Sequence, residues 1–336
     1  MSTQSPCVPR GSAILARSVA AATALCVIAF ARAASADPSS TTPAQGYDSG
    51  EIQHPRALAL AGAQTALGTS TNAIFNNPAN LPFARVYHFE GIAALSPEAR
   101  RQSYGGAIAD SSTSRVAGGF GGTWSQMDPD GIKRTWTDLR LAIAYPLADR
   151  VAVGLTGRYL RLSQSIAAGP LGASYVSDGT NGQPIVNTFT FDAGLAVAPI
   201  DGLKVGVLGR NLTVPNNGVV PTQGVFGIGY SKSVVAVELD AMVDFTTYNA
   251  ARGRYMGGVE VFVADRFPIR AGYRYDDGLK THAVTGGVGF VERKYSIELG
   301  VRRDVVADHP STMVGAGFRF FYDQAGSGEE IEPGSQ

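Results

Sequence analysis

The fold of this chain is constrained most by an alternation of apolar and polar residues with period two, which runs from about residue 86 to residue 322. In residues 151–159, Val, Val, Leu and Tyr alternate with Ala, Gly, Thr and Arg, and residues 189–197, 235–243, 269–276 and 295–302 have the same pattern. A period of two is typical of β-strands with one apolar face. The opposite face carries glycine, threonine and charged residues, so the sequence predicts an all-β, antiparallel fold.

About fourteen strands are predicted, an even number, as bacterial outer-membrane barrels normally require. The connections after even-numbered strands are short, such as Ala148-Asp149, whereas those after odd-numbered strands are longer, up to residues 165–186. In outer-membrane barrels the periplasmic turns are short and the outer loops are longer, so short and long connections alternate along the chain. We therefore predict a transmembrane antiparallel β-barrel over residues 86–322, with a secreted soluble sandwich as the alternative. Aromatic residues at strand ends are typical of the interfacial girdles of barrels: Trp124, Trp136, Tyr145, Phe245, Tyr255 and Tyr322.

Both ends of the chain are predicted to lie outside the barrel. Residues 1–36 have the form of an export signal peptide, with Arg10 and Arg17 before an apolar run and Ala34-Ser35-Ala36 as the cleavage site. Residues 37–54 are predicted to be a flexible leader, and residues 323–336 a disordered acidic tail. We expect the mature chain in the cell outer membrane.

The composition excludes several kinds of site. Cys7 and Cys26 both lie in the predicted signal peptide, so the mature chain has neither a disulfide nor a cysteine-ligated metal. Its 25 basic and 28 acidic residues give no basic face for nucleic acid. The histidines lack metal-ligand spacing, and the glycine-rich strings lack the Lys-Ser/Thr of a phosphate-binding loop. We therefore expect no cofactor, no metal, no nucleic acid and no enzymatic activity.

Residues 55–85 are the part of the mature chain with helix and tight-turn signals. The alanine-rich run from Ala57 predicts a slim helix with Gly68 as its C-cap. The oxygens of residues 69–72 can cap one further short turn. Asn76-Asn77-Pro78-Ala79 follows, in which Pro78 fixes its own φ and the asparagine amides can satisfy backbone groups of a tight turn. The segment is predicted to be a compact plug.

With the Asn-Pro-Ala motif, the small-residue helix and about fourteen strands, residues 46–322 resemble the FadL-type outer-membrane transporters of long-chain fatty acids and other hydrophobic compounds. In that family an N-terminal hatch with an Asn-Pro-Ala motif plugs a fourteen-stranded barrel. The resemblance implies that residues 55–85 are a hatch in the lumen, with Asn76, Asn77, Pro78 and Ala79 as its motif. It also implies passive uptake of a small hydrophobic ligand, gated by the hatch.

The family's ligand leaves sideways through a break in the third strand, which directs attention to the glycines of that strand. Gly118, Gly119, Gly121 and Gly122 weaken ladder packing and permit a bulge or kink, so they are the candidate lateral opening. The alternative is that these glycines only allow close packing against the hatch.

Charged residues on the polar face of the strands are predicted to line the lumen. We expect most of them to pair across neighbouring strands and stiffen the wall, with a polar path through the lumen as the alternative. They are Arg140, Arg158, Asp192, Lys204, Arg210, Glu238, Asp240, Arg254, Glu260, Arg270, Arg274, Glu298, Arg302 and Arg319.

The expected partners are outer-membrane lipid, the hydrophobic ligand and the barrel-insertion machinery. The last of these follows from Gly315, Phe318 and Phe320, which have the spacing of the insertion signal in the final strand of barrels. A second hypothesis for the function is a barrel that anchors or shuttles an exported protein partner. The short outer loops and the acidic tail would suit that role.

Overall fold

The computed structural model describes residues 54–128, 133–164, 186–213, 220–248, 250–308 and 310–322. Fourteen antiparallel strands follow one another around a closed barrel, and the last strand pairs with the first. The strands are β1 (Tyr87–Ser96), β2 (Arg101–Asp110), β3 (Ala117–Met127), β4 (Arg134–Ala148), β5 (Val151–Gln164), β6 (Val186–Ile200), β7 (Leu203–Arg210), β8 (Gln223–Lys232), β9 (Val235–Asp244), β10 (Arg252–Val263), β11 (Phe267–Asp276), β12 (Thr281–Val291), β13 (Tyr295–Val306) and β14 (Thr312–Phe321).

The predicted number of strands is confirmed, and the sandwich alternative is wrong because no sheet edge is left open in the barrel. The predicted signal peptide, residues 37–53 of the leader, and the acidic tail lie outside the described residues. No helix in the described part of the chain is long and apolar enough to cross a membrane.

The two faces of each strand meet different surroundings. On β9, Leu239 is 58% exposed on the outside, whereas its neighbours Glu238 and Asp240 are only 2% and 4% exposed. Leu141 on β4 and Phe189 on β6 are likewise exposed on the outer surface. The apolar face therefore points outward, as required of a wall in contact with lipid, and the charged face is enclosed.

Residues 54–85, here called the lumenal segment, lie inside the barrel against the inward faces of the strands. The segment contains helix α1 (Pro55–Ala59), helix α2 (Thr71–Phe75) and a 3-10 helix, η1 (Pro78–Phe83). The short turn predicted after residue 70 is confirmed as α2. Ser70 precedes it, but its side chain makes no capping hydrogen bond.

The predicted long helix up to Gly68 is wrong, because α1 already ends at Ala59. The amide of Gly62 donates to the carbonyl of Ala57 at 2.8 Å, and that of Ala61 to Leu58 at 3.3 Å. This pair of bonds is a Schellman motif, in which the residue after the C-cap is left-handed. Ala61 occupies that position with a φ of 59°. Alanine rarely adopts this conformation, so the residue type at this position did not indicate the helix end.

Glycines on the inward faces of the strands make room for the lumenal segment. A Cβ atom on Gly300 of β13 would overlap the carbonyl oxygen of Pro55, and one on Gly287 of β12 would overlap the Cβ of Ala59. The same holds for Gly206 and Gly229, which face Thr65 and Leu67. The wall is therefore bare of side chains at these four positions, where the segment comes close to its backbone.

Strand β3 has no bulge. The strand pairs without a register shift with β2, from Gly118 to Gln126, and with β4, from Ala117 to Met127. A Cβ on Gly119 would lie 2.8 Å from the Cγ1 of Ile74, and one on Gly121 would lie 3.1 Å from the ring of Phe75. These two glycines accommodate helix α2, and Gly118 and Gly122 lie on the outward face.

Filling one inward glycine should loosen the lumenal segment. We expect Gly300→Ala to destabilise the protein by about 1–3 kcal/mol, because the added methyl group forces Pro55 away from the wall. Gly91→Ala is the matched control, since a Cβ there meets no atom within 4 Å. The apparent midpoint of thermal unfolding in detergent micelles measures both variants. Equal midpoints would contradict the close fit.

Candidate functional site

The site is the contact between the lumenal segment and the inner wall of the barrel. The Asn-Pro-Ala motif lies at its centre. The side-chain amide of Asn77 donates to the carbonyls of Thr65, at 3.0 Å, and of Leu195 on β6, at 3.1 Å. Its Oδ1 accepts from the amide of Ala79 at 3.1 Å and so caps η1. One asparagine therefore ties together the turn at Thr65, the barrel wall and the start of the 3-10 helix.

Two glycines of the wall and a second asparagine complete the contacts of the motif. A Cβ on Gly194 would overlap the amide of Asn77, and one on Gly154 would lie 2.6 Å from the carbonyl carbon of Pro78. The side chain of Asn76 turns back to Asn72, donating to its Oδ1 at 2.7 Å. Asn76, Asn77, Pro78 and Ala79 are all buried. The structure brings the four motif residues into one tight turn against β5 and β6.

Two carboxylates on β9 hold the turn at residues 64–67. Asp240 accepts hydrogen bonds from the amides of Gln64 and Thr65, at 3.0 and 2.9 Å. Glu238 accepts from the amides of Ala66 and Leu67, at 2.5 and 3.1 Å. A charged acceptor roughly doubles the strength of a hydrogen bond. These four bonds form a carboxylate clamp on the backbone of the lumenal segment.

A chain of alternating charges fixes helix α1. The guanidinium of Arg56 donates to both oxygens of Glu260 on β10, at 2.8 and 3.2 Å. Glu260 also accepts from Arg270 on β11 at 2.5 Å, and Arg270 reaches Glu298 on β13 at 3.2 Å. Bidentate pairs of this kind fix orientation as well as distance. Three strands are thus linked to the segment through one arginine.

A second network surrounds Glu90 on β1, which the sequence analysis did not select. Glu90 contacts the ring of His54 at 2.9 Å and the guanidinium of Arg319 at 3.2 Å, and it accepts a hydrogen bond from the hydroxyl of Thr71. His54, before α1, and Thr71, at the start of α2, are therefore both bound to the side chain of Glu90. The alternation of inward and outward residues along β1 could have identified Glu90 as a lumenal residue. Its partners lie in residues 54–71, outside the strands, so the alternation could not predict them.

The third network lies beneath helix α2. Arg140 on β4 donates to the carbonyl of Phe75 at 2.7 Å and lies over its ring at 5.4 Å. Asp138 binds Arg140 at 2.7 Å and Arg158 at 2.8 Å, and Arg158 reaches Asp192 at 3.3 Å. Asp138 was not predicted from the sequence either, although it binds Arg140 and Arg158 and is connected through Arg158 to Asp192.

The remaining predicted lumen residues also face inward. Lys204 places its ammonium 4.6 Å from the ring centre of Phe83. Arg210, Arg254, Arg274 and Arg302 lie nearer the longer loops and border one cavity with helix α1. Within the described residues, no group of three or more His, Cys, Asp or Glu side chains could hold a metal ion.

The segment is held in the lumen by non-covalent contacts, which are hydrogen bonds, ion pairs and close approaches of backbone at the inward glycines. The segment can shift only if several of these contacts break together.

No family model matches the sequence, and no curated protein is similar to it in sequence. Solved structures are similar in fold. CymD, a monoaromatic hydrocarbon channel, has a TM-score of 0.60 at 12% identity, over 81% of this chain and 97% of that one. The toluene transporter TbuX of Ralstonia pickettii has a TM-score of 0.56 at 14% identity, covering 82% and 99%. A Pseudomonas aeruginosa FadL homologue has a TM-score of 0.54 at 13% identity, covering 81% and 98%.

The fold is that of the FadL-type channels. The predicted resemblance is therefore confirmed for the fold, and the chain spans nearly the whole length of these structures. A closed barrel of fourteen strands with an apolar exterior places the chain in the outer membrane.

Removing one acidic side chain of the clamp should release the turn that it holds. We expect Glu238→Ala to speed hydrogen exchange at the amides of Ala66 and Leu67 by roughly fivefold or more, since a buried donor left without its acceptor costs about 1–3 kcal/mol. Mass spectrometry of peptides from residues 60–70 measures the exchange. Glu292→Ala, which breaks an exposed pair with Arg266, is the control and should leave these peptides unchanged.

Proposed function

We propose that this chain is an outer-membrane channel for the passive uptake of small hydrophobic compounds, gated by the lumenal segment. The observation that carries the proposal is the segment itself, which is held inside a closed fourteen-stranded wall by side-chain anchors on β1, β4, β9 and β10. The similarity in fold to channels described as carrying monoaromatic hydrocarbons or toluene supports the hydrophobic class of ligand. Fatty-acid-like compounds belong to the same class.

Gating requires the segment to shift, because its residues fill the lumen in this state. A ligand that enters from the loop end meets helix α1 and the turn at residues 60–67 first. The carboxylate clamp must release that turn before it can move, since its two acidic side chains hold four consecutive amides.

Lateral exit beside the third strand belongs to the same proposal. Its support is a groove of about 620 Å³ on the outer face of β1 to β4, bordered by Phe89, Phe120 and Trp124. Gly91, Gly106 and Gly122 pair across three strands at its floor, so no side chain covers the backbone there. The strands are fully paired in this structure. A lateral exit would therefore require the hydrogen bonds between β2 and β3 to break.

The second hypothesis, a barrel that carries an exported protein, stays a prediction. The acidic tail on which it partly rests lies outside the described residues. Recognition of Gly315, Phe318 and Phe320 by the insertion machinery likewise stays a prediction. Phe318 and Phe320 are exposed on the outer face of β14, and Gly315 is buried.

Uptake of p-xylene into proteoliposomes tests the channel, and deletion of residues 55–81 tests the plug. We expect p-xylene uptake by proteoliposomes to exceed that by protein-free liposomes. In planar bilayers, we expect the conductance of the deletion variant to be several-fold above that of the full chain. Slower migration of heated than of unheated samples on gels verifies that each barrel is folded. A folded deletion variant with unchanged conductance would argue against a plug.

A reversible cross-link tests whether the segment must move. The side chain of Ser70 in the segment lies 2.6 Å from that of His88 on β1, so Ser70→Cys with His88→Cys can be joined by a short bifunctional methanethiosulfonate, whose disulfides are cleaved by reduction. We expect p-xylene uptake to fall when this pair is cross-linked and to return on reduction. Ser70→Cys alone, treated with the same reagent, is the control. Equal uptake in the cross-linked and reduced states would contradict gating while leaving the channel itself intact.

A further inference from the structure

The start of helix α1 is held by the side chain of one buried histidine. His54 is 0% exposed and lies directly before Pro55, the first residue of α1. Its Nδ1 accepts a hydrogen bond from the amide of Arg56 at 3.2 Å and so caps the helix. Its Nε2 lies 2.9 Å from a carboxylate oxygen of Glu90 on β1. The ring therefore joins the first turn of the lumenal segment to the wall through its two different nitrogens.

The two partners fix where the protons of the ring lie. An ionised carboxylate only accepts hydrogen bonds, so Nε2 must carry a proton to bind Glu90. The amide of Arg56 only donates, so Nδ1 must offer a lone pair. Both requirements are met together by the neutral imidazole with its proton on Nε2. In the doubly protonated ring both nitrogens are donors, and the bond from Arg56 is lost.

Attraction and repulsion oppose each other at Nε2. Arg319 on β14 donates from Nη2 to both oxygens of Glu90 at 3.2 Å, and the same nitrogen lies 3.1 Å from Nε2 of His54. A charged ring would therefore gain from the carboxylate and lose from the guanidinium at similar distances. At Nδ1 the change has one direction only, because the bond from Arg56 is lost.

Further charged or titratable side chains near the ring have partners of their own. They are Glu298 on β13, which binds Arg270 at 3.2 Å, Arg56 on α1, which binds Glu260 at 2.8 Å, and His88 on β1, which contacts Ser70 at 2.6 Å. Glu298 also acts on His54 through its charge. Their pairing leaves the bond at Nδ1 as the contact that a change in the charge of the ring alters directly.

We propose that His54 is a pH-sensitive latch on the lumenal segment, whose protonation breaks the cap of α1 and loosens the first turn. Histidine is the side chain whose charge ordinarily changes between about pH 5 and 8. At the upper end of this range the neutral ring caps the helix. At the lower end the added proton on Nδ1 faces the amide hydrogen of Arg56, so that the ring no longer accepts this bond.

The shortness of α1 makes the cap important. The helix has five residues, Pro55–Ala59, and its first backbone bond runs from the amide of Leu58 to the carbonyl of His54 at 2.9 Å. Short helices have little stability of their own, so the loss of the cap should fray this one. A change in uptake on fraying rests on the proposed function, whereas the loosening of α1 by a proton does not.

Hydrogen exchange of the detergent-purified full chain at pH 8 and pH 5, corrected for the intrinsic pH dependence of amide exchange, tests the latch. We expect the protection of residues 56–60 to fall about fivefold or more from pH 8 to pH 5. In His54→Asn the side-chain oxygen can still cap a helix but does not titrate, so the protection should not depend on pH. His282→Asn is the matched control and should behave like the wild type, since His282 contacts Tyr273 on the outside of the barrel.

The outcomes are distinct. Equal protection of residues 56–60 at the two pH values in the wild type, or the same fall in His54→Asn, overturns the latch. Because p-xylene does not titrate, its uptake should rise at pH 5 in the wild type and not in His54→Asn if the segment gates the channel. A fall in protection without any p-xylene uptake would uphold the latch and reject the proposed function. Uptake with protection that is independent of pH would reject the latch and leave the proposed function standing.

Discussion

The structure depends on one constraint: the backbone groups of a segment enclosed in the barrel must find hydrogen-bond partners there. A buried amide or carbonyl group without a partner costs about 1–3 kcal/mol. The wall meets this constraint by supplying acceptors, above all Glu238 and Asp240, to consecutive amides of the lumenal segment. It also omits side chains at glycines such as Gly206 and Gly300, where backbone must approach backbone.

The same constraint explains why so many charges can be enclosed. Buried charges are tolerated when they are paired and hydrogen-bonded. Glu260 is shared by Arg56 and Arg270, and Asp138 by Arg140 and Arg158, so each acid joins two cations. These shared pairs connect the segment to strands that are distant in sequence. The segment and the wall are thus one polar network enclosed by an apolar exterior.

The sequence predicted the barrel well because a strand with lipid on one side and a polar lumen on the other must alternate strictly. The alternating residues 151–159 and 295–302 lie within β5 and β13. The lumenal position of residues such as Arg158 and Glu298 followed from the same alternation, and both are buried.

The details of the lumenal segment were less predictable for physical reasons. The end of α1 depends on a left-handed alanine, Ala61, where propensity favours continued helix. The role of Glu238 was hidden because its partner Ala66 lies 172 residues away and offers only a backbone amide, which carries no sequence signal. The glycines of β3 were compatible with a kink or with close packing against the hatch, and only the structure shows that two of them accommodate Ile74 and Phe75. Contacts to a backbone amide, and contacts made possible by a glycine, depend little on recognisable residue patterns. A single sequence therefore gives little information about them.

The central claim is that the wall holds the lumenal segment in one position. Pulsed electron paramagnetic resonance in lipid tests it most directly, by measuring the distance between two spin labels. One label is placed at Thr69→Cys in the lumenal segment, and the other at Ser233→Cys in the exposed turn between β8 and β9. The sequence has two cysteines of its own, Cys7 and Cys26, and both lie in the predicted signal peptide. If the wall holds the segment as described, the pair gives one narrow distance distribution. A broad distribution, or a second population at long distance, would show that the segment is not fixed in the lumen and would contradict the account.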